Sequence, residues 1–173
     1  LGIERFTIKF SDRKVLNCLL DFAGIPHEAS HNVFRVLDKL GRIGLDGVTA
    51  ELTKGRSDAS GDKIPGLGLS NNQVARINEF LSVPIGKRRE VLSSLAELFK
   101  GIDAAEEAVE ELRFICDSLD SLNILEENVL LDLSIVRGLD YYTGPIFEAS
   151  LNDALEFGSV FGGGRYEGLV ERF

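Results

Sequence analysis

The chain of 173 residues contains no methionine, only two cysteines and two histidines, and no long apolar run. Each shortage excludes something. Without a stretch of ~18 apolar residues, no membrane-spanning helix is expected. Without a basic N-terminal region followed by an apolar one, no secretory signal is visible. Because the initiator methionine is missing too, the chain is expected to be a piece of a longer polypeptide that starts elsewhere. Cys18 and Cys116 are far apart and show no paired spacing, which predicts two buried thiols in a reducing, cytoplasmic setting rather than a disulfide framework.

The shortage of histidine bears on one motif. His27-Glu-Ala-Ser-His31 formally matches a zinc-protease pattern, but that chemistry needs both histidines on one face of a continuous helix, with a third ligand beyond. Pro26 precedes the motif, Ser30 inside it is a good N-cap, and no third histidine exists. Glu51 is a conceivable ligand that nothing in the sequence positions. The segment reads as an exposed loop-to-helix junction, and no protein-bound metal is expected.

The formal net charge is −9. It falls unevenly: residues 1–45 carry +2, residues 46–125 carry −5 and residues 126–173 carry −6. Such a field does not steer the chain onto nucleic acid, so any contact with RNA needs a local basic patch. Lys87-Arg88-Arg89 is the only basic run, and it reads as a solvated helix start.

What is present divides into three stretches. Phe6–Phe10 alternates apolar and polar residues and predicts a strand, followed by a helix capped at Ser11-Asp12 and stopped by Gly24 and Pro26. A second helix is predicted from Ser30 to Gly41 and a short one around Val48–Leu52. Residues 55–70, rich in glycine, serine and aspartate, read as a long mobile loop. Helices follow over Asn71–Leu81, capped by Ser70, from Gly86 or Lys87 to Lys100, and from Asp103 to about Leu122. In the last, Ala105, Val109, Leu112, Cys116 and Leu119 form a narrow apolar stripe. Strand signals return over Val129–Val136, Gly144–Leu151 and Leu155–Phe161, with a turn at Asn152-Asp153 and a helix starting at Arg165 and running to Arg172. The expectation is an α+β fold: an antiparallel sheet, built from residues 1–43 and 126–173, with an all-helical insertion over 44–125.

The chemistry concentrates near the C-terminus. Arg137 ends an apolar strand beside Gly138. Its guanidinium can grip a carboxylate or phosphate through two parallel hydrogen bonds, or pair structurally with Asp140 or Glu148; chemistry alone leaves both open. Tyr141 and Tyr142 are adjacent, so in a strand they point to opposite faces, one for a pocket and one for the core. Gly162, Gly163 and Gly164 read as a segment between strand and helix that lets backbone approach a ligand closely. They do not make a phosphate loop, since the Gly-x-x-x-x-Gly-Lys pattern is absent.

Arg137-Gly-Leu-Asp-Tyr-Tyr-Thr-Gly with Phe147-Glu148, and Gly162-Gly-Gly-Arg-Tyr-Glu-Gly-Leu169, closely resemble the two histidine-specific motifs of histidyl-tRNA synthetases, with Glu167 where aspartate is usual. Leu1-Gly-Ile-Glu-Arg-Phe-Thr-Ile8, Asn17-Cys-Leu-Leu20 and Leu37-Asp-Lys-Leu40 extend the resemblance over the chain. It implies part of a class II synthetase sheet carrying the family's helical insertion domain. It also implies an enzyme that activates histidine with ATP and Mg2+ to histidyl-adenylate and transfers it to tRNA(His). By resemblance, Arg137 contacts the histidine carboxylate and the α-phosphate, Tyr141 and Tyr142 frame the histidine side chain, and Gly138 and the glycine triplet shape the pocket, with Asp140 and Arg165 as further candidates. The insertion would approach the tRNA acceptor arm, and the parent enzyme would be a cytoplasmic homodimer. The three class-defining motifs of the family are not recognised here, so this chain alone is expected not to form the adenylate. A non-catalytic relative, such as an ATP phosphoribosyltransferase regulatory subunit or a sensor domain, is the alternative.

Overall fold

A computed structural model describes residues 5–138 and 141–167. Strand β1, Phe6–Asp12, runs directly into helix α1, Arg13–Ala23. Asp12 makes the junction sharp, because its extended backbone ends the strand while its carboxylate accepts a 2.7 Å hydrogen bond from the Lys14 amide. Gly24, in the left-handed conformation at φ 64°, closes α1 by donating to the Asp21 and Leu20 carbonyls. The predicted helix from Ser30 to Gly41 is two helices: α2, Ser30–Leu37, and α3, Leu40–Leu52, which breaks at Gly44 where φ is 69° and absorbs the short helix expected near Val48.

The expected loop over 55–70 contains a small hairpin, β2 at Gly55–Ser57 and β3 at Lys63–Pro65. Its tip is shaped by Asp58, whose Oδ1 accepts from the amides of Ser60 and Asp62, both at 2.9 Å. A Cβ on Gly66 would lie 2.1 Å from the Thr53 carbonyl oxygen, so this chain packs backbone to backbone on the end of α3. Helix α4, Asn71–Leu81, opens with a capping box between Ser70 and Gln73. Helices α5, Arg88–Leu98, and α6, Ala105–Ser121, follow, and the apolar stripe of α6 is buried from Ala105 to Cys116. Cys18 and Cys116 are both free thiols, and burial pushes each pKa up to about 11.

The remaining strands are β4, Val129–Leu131, β5, Pro145–Leu151, and β6, Ser159–Gly164. They form one sheet in the order β4-β1-β5-β6. Two pairings are antiparallel, as expected, but β1 and β4 are parallel. A parallel pair needs a long crossover, and the helical segment between these strands supplies it. The strand predicted to reach Val136 stops at Leu131, because buried Asp132 turns the chain by accepting from the Ser134 amide and hydroxyl at 3.0 and 2.6 Å. The strand predicted over Leu155–Phe161 is instead a 3-10 turn, Leu155–Phe157, and then β6. Arg165–Glu167 is not helical, and the rest of the helix predicted to Arg172 lies outside the described residues.

One buried apolar cluster runs through the molecule. It includes Leu16 and Leu20 of α1, Phe34 of α2, Ile77 of α4, Leu95 of α5, Leu112 of α6 and Ile146 of β5. Among the described residues, no helix is long and apolar enough to cross a membrane.

Candidate active site

The site forms where β6 lies along β5. Register sets Glu148 opposite Gly162, Phe147 opposite Gly163 and Ile146 opposite Gly164. The glycine triplet is therefore part of strand β6 rather than a segment after a strand. Because strand positions alternate in direction, Gly162 and Gly164 face one side and Gly163 the other. A Cβ on Gly162 would lie 2.9 Å from Arg137 Nη1, and one on Gly164 would lie 2.7 Å from Tyr142 Cγ. On the opposite side, a Cβ on Gly163 would lie 2.9 Å from Phe147 Cζ. The missing side chains make room for a guanidinium and two aromatic rings.

Gly138 has a stricter requirement. Its φ is +67°, and a Cβ there would lie 1.8 Å from Tyr142 Cδ2. Tyr142 is thus held between two glycines from different parts of the chain. Tyr141 and Tyr142 lie in a loop, not a strand, and their rings meet edge-on with centroids 4.3 Å apart. Tyr141 is about half exposed, while Tyr142 packs against the core. Burial, reinforced by the Tyr141 phenol, holds the Tyr142 pKa above the usual tyrosine range, so its hydroxyl is a neutral donor.

Arg137 does pair with Glu148, Nε to Oε2 at 2.9 Å, and its side chain is 42% exposed. That bond uses one edge of the guanidinium. Arg137, Gly138, Tyr141, Tyr142, Gly162 and Gly163 line a cleft of about 440 Å3. A recess of about 180 Å3, lined in part by Lys9, Ser134 and Glu148, adjoins it and shares Arg137. Asp38, the residue that ends α2, lines both cavities. Sequence reasoning passed over it, because only the fold brings position 38 to position 137.

Arg165 lies elsewhere: its guanidinium is bound by Glu111 and lies across Gly144, behind the tyrosine wall. Asp140 is outside the described residues. The His27–His31 pattern is divided between a 3-10 turn, His27–Ala29, and the start of α2, and His27 Nε2 lies 2.7 Å from Asp21. Glu51 is engaged: although burial raises its pKa, hydrogen bonds from Lys39 at 2.6 Å and Arg56 at 2.9 Å hold it below the usual range.

The cleft thus brings one guanidinium and two phenol rings together beside backbone that carries no side chains at Gly138, Gly162 and Gly163. The sequence model of histidyl-tRNA synthetase matches residues 1–173. The histidine–tRNA ligase of Paracoccus denitrificans is 41% identical over 183 residues, which cover 99% of this chain and 37% of that protein. That of Clostridium tetani is 39% identical over 173 residues, covering 100% of this chain and 36% of that one. The crystal structure of histidyl-tRNA synthetase from Nostoc sp. PCC 7120 superposes with a TM-score of 0.82 at 28% identity, over 98% of this chain and 37% of that one. A Bacillus halodurans protein, described as an ATP phosphoribosyltransferase regulatory subunit/histidyl-tRNA synthetase, shares the fold with a TM-score of 0.74 at 23% identity.

The broad class is thus the aminoacyl-tRNA synthetases. Within it, the chain belongs to the histidyl-tRNA synthetase family, and it spans 36–38% of the length of the curated relatives it matches.

Proposed function

We propose that the cleft at Arg137 recognises histidine and forms the amino-acid side of an adenylation site, in a protein that activates histidine with ATP and passes it to tRNA(His). The observation that carries this reading is the meeting of Arg137, Tyr141 and Tyr142 around one cleft large enough for an amino acid. Glu148 fixes Arg137 through Nε and leaves its Nη groups to face the substrate carboxylate. As a carboxylate oxygen attacks the α-phosphorus and pyrophosphate leaves, charge grows on the phosphoryl oxygens, and a guanidinium already in place stabilises it without reorganisation. The Tyr142 hydroxyl donates to an unprotonated imidazole nitrogen, and the Tyr141 ring forms the outer wall. Asp38 supplies an anion on the side facing the substrate ammonium. Magnesium would arrive on the nucleotide phosphates.

The helical segment 44–125 would approach tRNA. Of its single basic run, Lys87 and Arg89 are solvent-facing and Arg88 is buried. A homodimeric parent and a cytoplasmic location complete the proposal.

Calorimetric titration of the 173-residue chain with L-histidine tests the reading. Binding is expected, with Arg137→Gln weakening it by about 10- to 100-fold, the range for losing a charged hydrogen-bond pair. Histidine-dependent ATP–pyrophosphate exchange by the chain alone is expected to stay at background. No histidine binding, or equal binding by the variant, would sink the reading.

A further inference from the structure

Behind the tyrosine wall, the helical segment and the sheet meet through charged groups. Arg165 is the centre. Its main chain grips the segment after the tyrosines on both sides of Gly144: the Thr143 amide donates to the Arg165 carbonyl at 3.0 Å, and the Arg165 amide donates to the Pro145 carbonyl at 2.8 Å. Its side chain folds over the glycine between them, where a Cβ would lie 2.4 Å from Cζ. Gly144 in turn accepts from the Arg13 amide at 2.9 Å, at the start of α1. On the other side of Arg165, Gly164 abuts the Tyr142 ring. Any displacement of Arg165 therefore reaches Tyr142 by two short paths, through the Thr143–Arg165 backbone hydrogen bond and through Gly164 packed against the ring.

Two carboxylates compete for this guanidinium. Glu111, on α6, binds Nη1 and is mostly enclosed, with its side chain 18% exposed. Glu167 lies 3.3 Å from Nε and is 67% exposed. Glu111 pulls the group inward across Gly144, while Glu167 would draw it towards solvent. The other oxygen of Glu111 lies 3.0 Å from Lys14 Nζ, which also meets Glu107 at 2.5 Å. Arg165 is 38% exposed, so it is the Glu111 end of the pair that is shielded from water.

We propose that Glu111 is a positioning residue for histidine recognition: from the helical segment it holds Arg165 across Gly144, and so fixes the strand of chain that presents Tyr142 to the cleft. The proposal rests on reading that cleft as the histidine site. It also makes α6 a mechanical neighbour of the amino-acid pocket, so a partner that displaces α6 would change histidine affinity without touching the cleft.

Histidine titration and amide NMR on the 173-residue chain and its variants provide the test. Glu111→Gln is expected to weaken histidine binding about tenfold and to shift the amide signals of Tyr142, Thr143 and Gly144. Lys14→Gln and Glu107→Gln, which disturb the same patch but spare Arg165, are expected to stay within about twofold of the parent. The double variant Glu111→Gln/Arg165→Gln is expected to bind no more weakly than Arg165→Gln, since both act through one link. If Glu111→Gln does not fold, Arg165→Gln reads the link from its other end through the Tyr142 and Gly144 signals. Unchanged affinity and unchanged 142–144 signals in Glu111→Gln, or an equal loss in Lys14→Gln, would overturn the proposal. Should the parent chain bind no histidine, the histidine reading fails by itself, and the amide shifts still decide whether Glu111 positions Tyr142.

Discussion

Asp12 is pulled in two directions by its place in the fold. As the cap of α1 it accepts from the Lys14 amide, which favours the carboxylate, yet it is fully buried and its Oδ2 has no hydrogen-bond partner. Burial dominates, with the nearby Glu111 charge adding to it, and raises the pKa from 3.8 to about 6 against the opposing pull of the Lys14 amide, Arg165 and Lys14. The linkage sign follows. A carboxyl whose folded pKa exceeds its unfolded one costs stability when ionised, so the cost is absent well below pH 3.8 and complete above about pH 6. Asp12→Asn removes the titration and keeps a good N-cap. Its stability relative to the parent is expected to fall by on the order of 2 kcal/mol as pH drops from 8 to 4. Any pH-independent effect of the amide drops out of that difference. Urea unfolding of both proteins at the two pH values checks it, and a flat or opposite trend would contradict the assigned burial cost. Arg137 and the tyrosine pair were legible as site candidates because their chemistry is crowded into a few residues. Asp12 was legible as a cap, but its perturbed ionisation comes from burial that only the fold supplies, with Glu111, far along the chain, adding to it.

Elements were legible where their signals are local. The Ser70 cap sits directly before the helix it predicts, and α4 begins at Asn71 as that cap implies. The hairpin β2–β3 was missed because three-residue strands are too short to show alternation and its glycines also suit a loop. The glycine triplet was misplaced for a related reason: strands disfavour glycine, and only the Arg137 guanidinium and the two rings packed against β6 explain it. Arg88 is the sharpest case. It reads as the middle of a solvated basic run, yet it is fully buried at the start of α5. Its Nη2 donates to the Ile124 carbonyl at 2.8 Å, its Nε to the Val129 carbonyl at 3.2 Å, and its Nη1 to the Asp120 carboxylate. One side chain thus fastens α5 to the end of α6 and to β4, through partners more than thirty residues away. Arg88→Ala is expected to destabilise the chain by about 2–4 kcal/mol, because it leaves the Ile124 and Val129 carbonyls without their donor and removes a fully buried side chain, while Asp120, 38% exposed, keeps access to water. Arg89→Ala, next door and 78% exposed, is expected to change stability by less than about 0.5 kcal/mol. Denaturant midpoints of the two variants separate the outcomes, and similar midpoints would mean that Arg88 is not the fastening it resembles.

At the scale of the whole molecule, the question is whether the helical segment 44–125 stands by itself. Its helices do not close around a core of their own. α4 and α6 both pack on α1, which belongs to the strand–helix unit before the segment, and their buried residues share one cluster with Leu16, Leu19 and Leu20. Polar contacts tie the same seam: Gln73 Nε2 donates to the Gly24 carbonyl at 2.9 Å, and Arg76 Nη1 donates to the Phe22 carbonyl at 3.2 Å. Phe22 itself meets Phe99, at the end of α5, with ring centroids 5.7 Å apart. Removing α1 would expose the buried faces of α4 and α6 together, at roughly 25 cal/mol for each Å2 of apolar surface returned to water. The full chain is therefore expected to unfold in one calorimetric transition, with calorimetric and van't Hoff enthalpies in agreement. Residues 44–125 expressed alone are expected to keep helical circular dichroism but to bind a hydrophobic dye and melt without a sharp midpoint. Two separated transitions in the full chain, or a sharp and unshifted melt of the isolated segment, would show instead that α1 is a neighbour of the helical unit and not a part of its core.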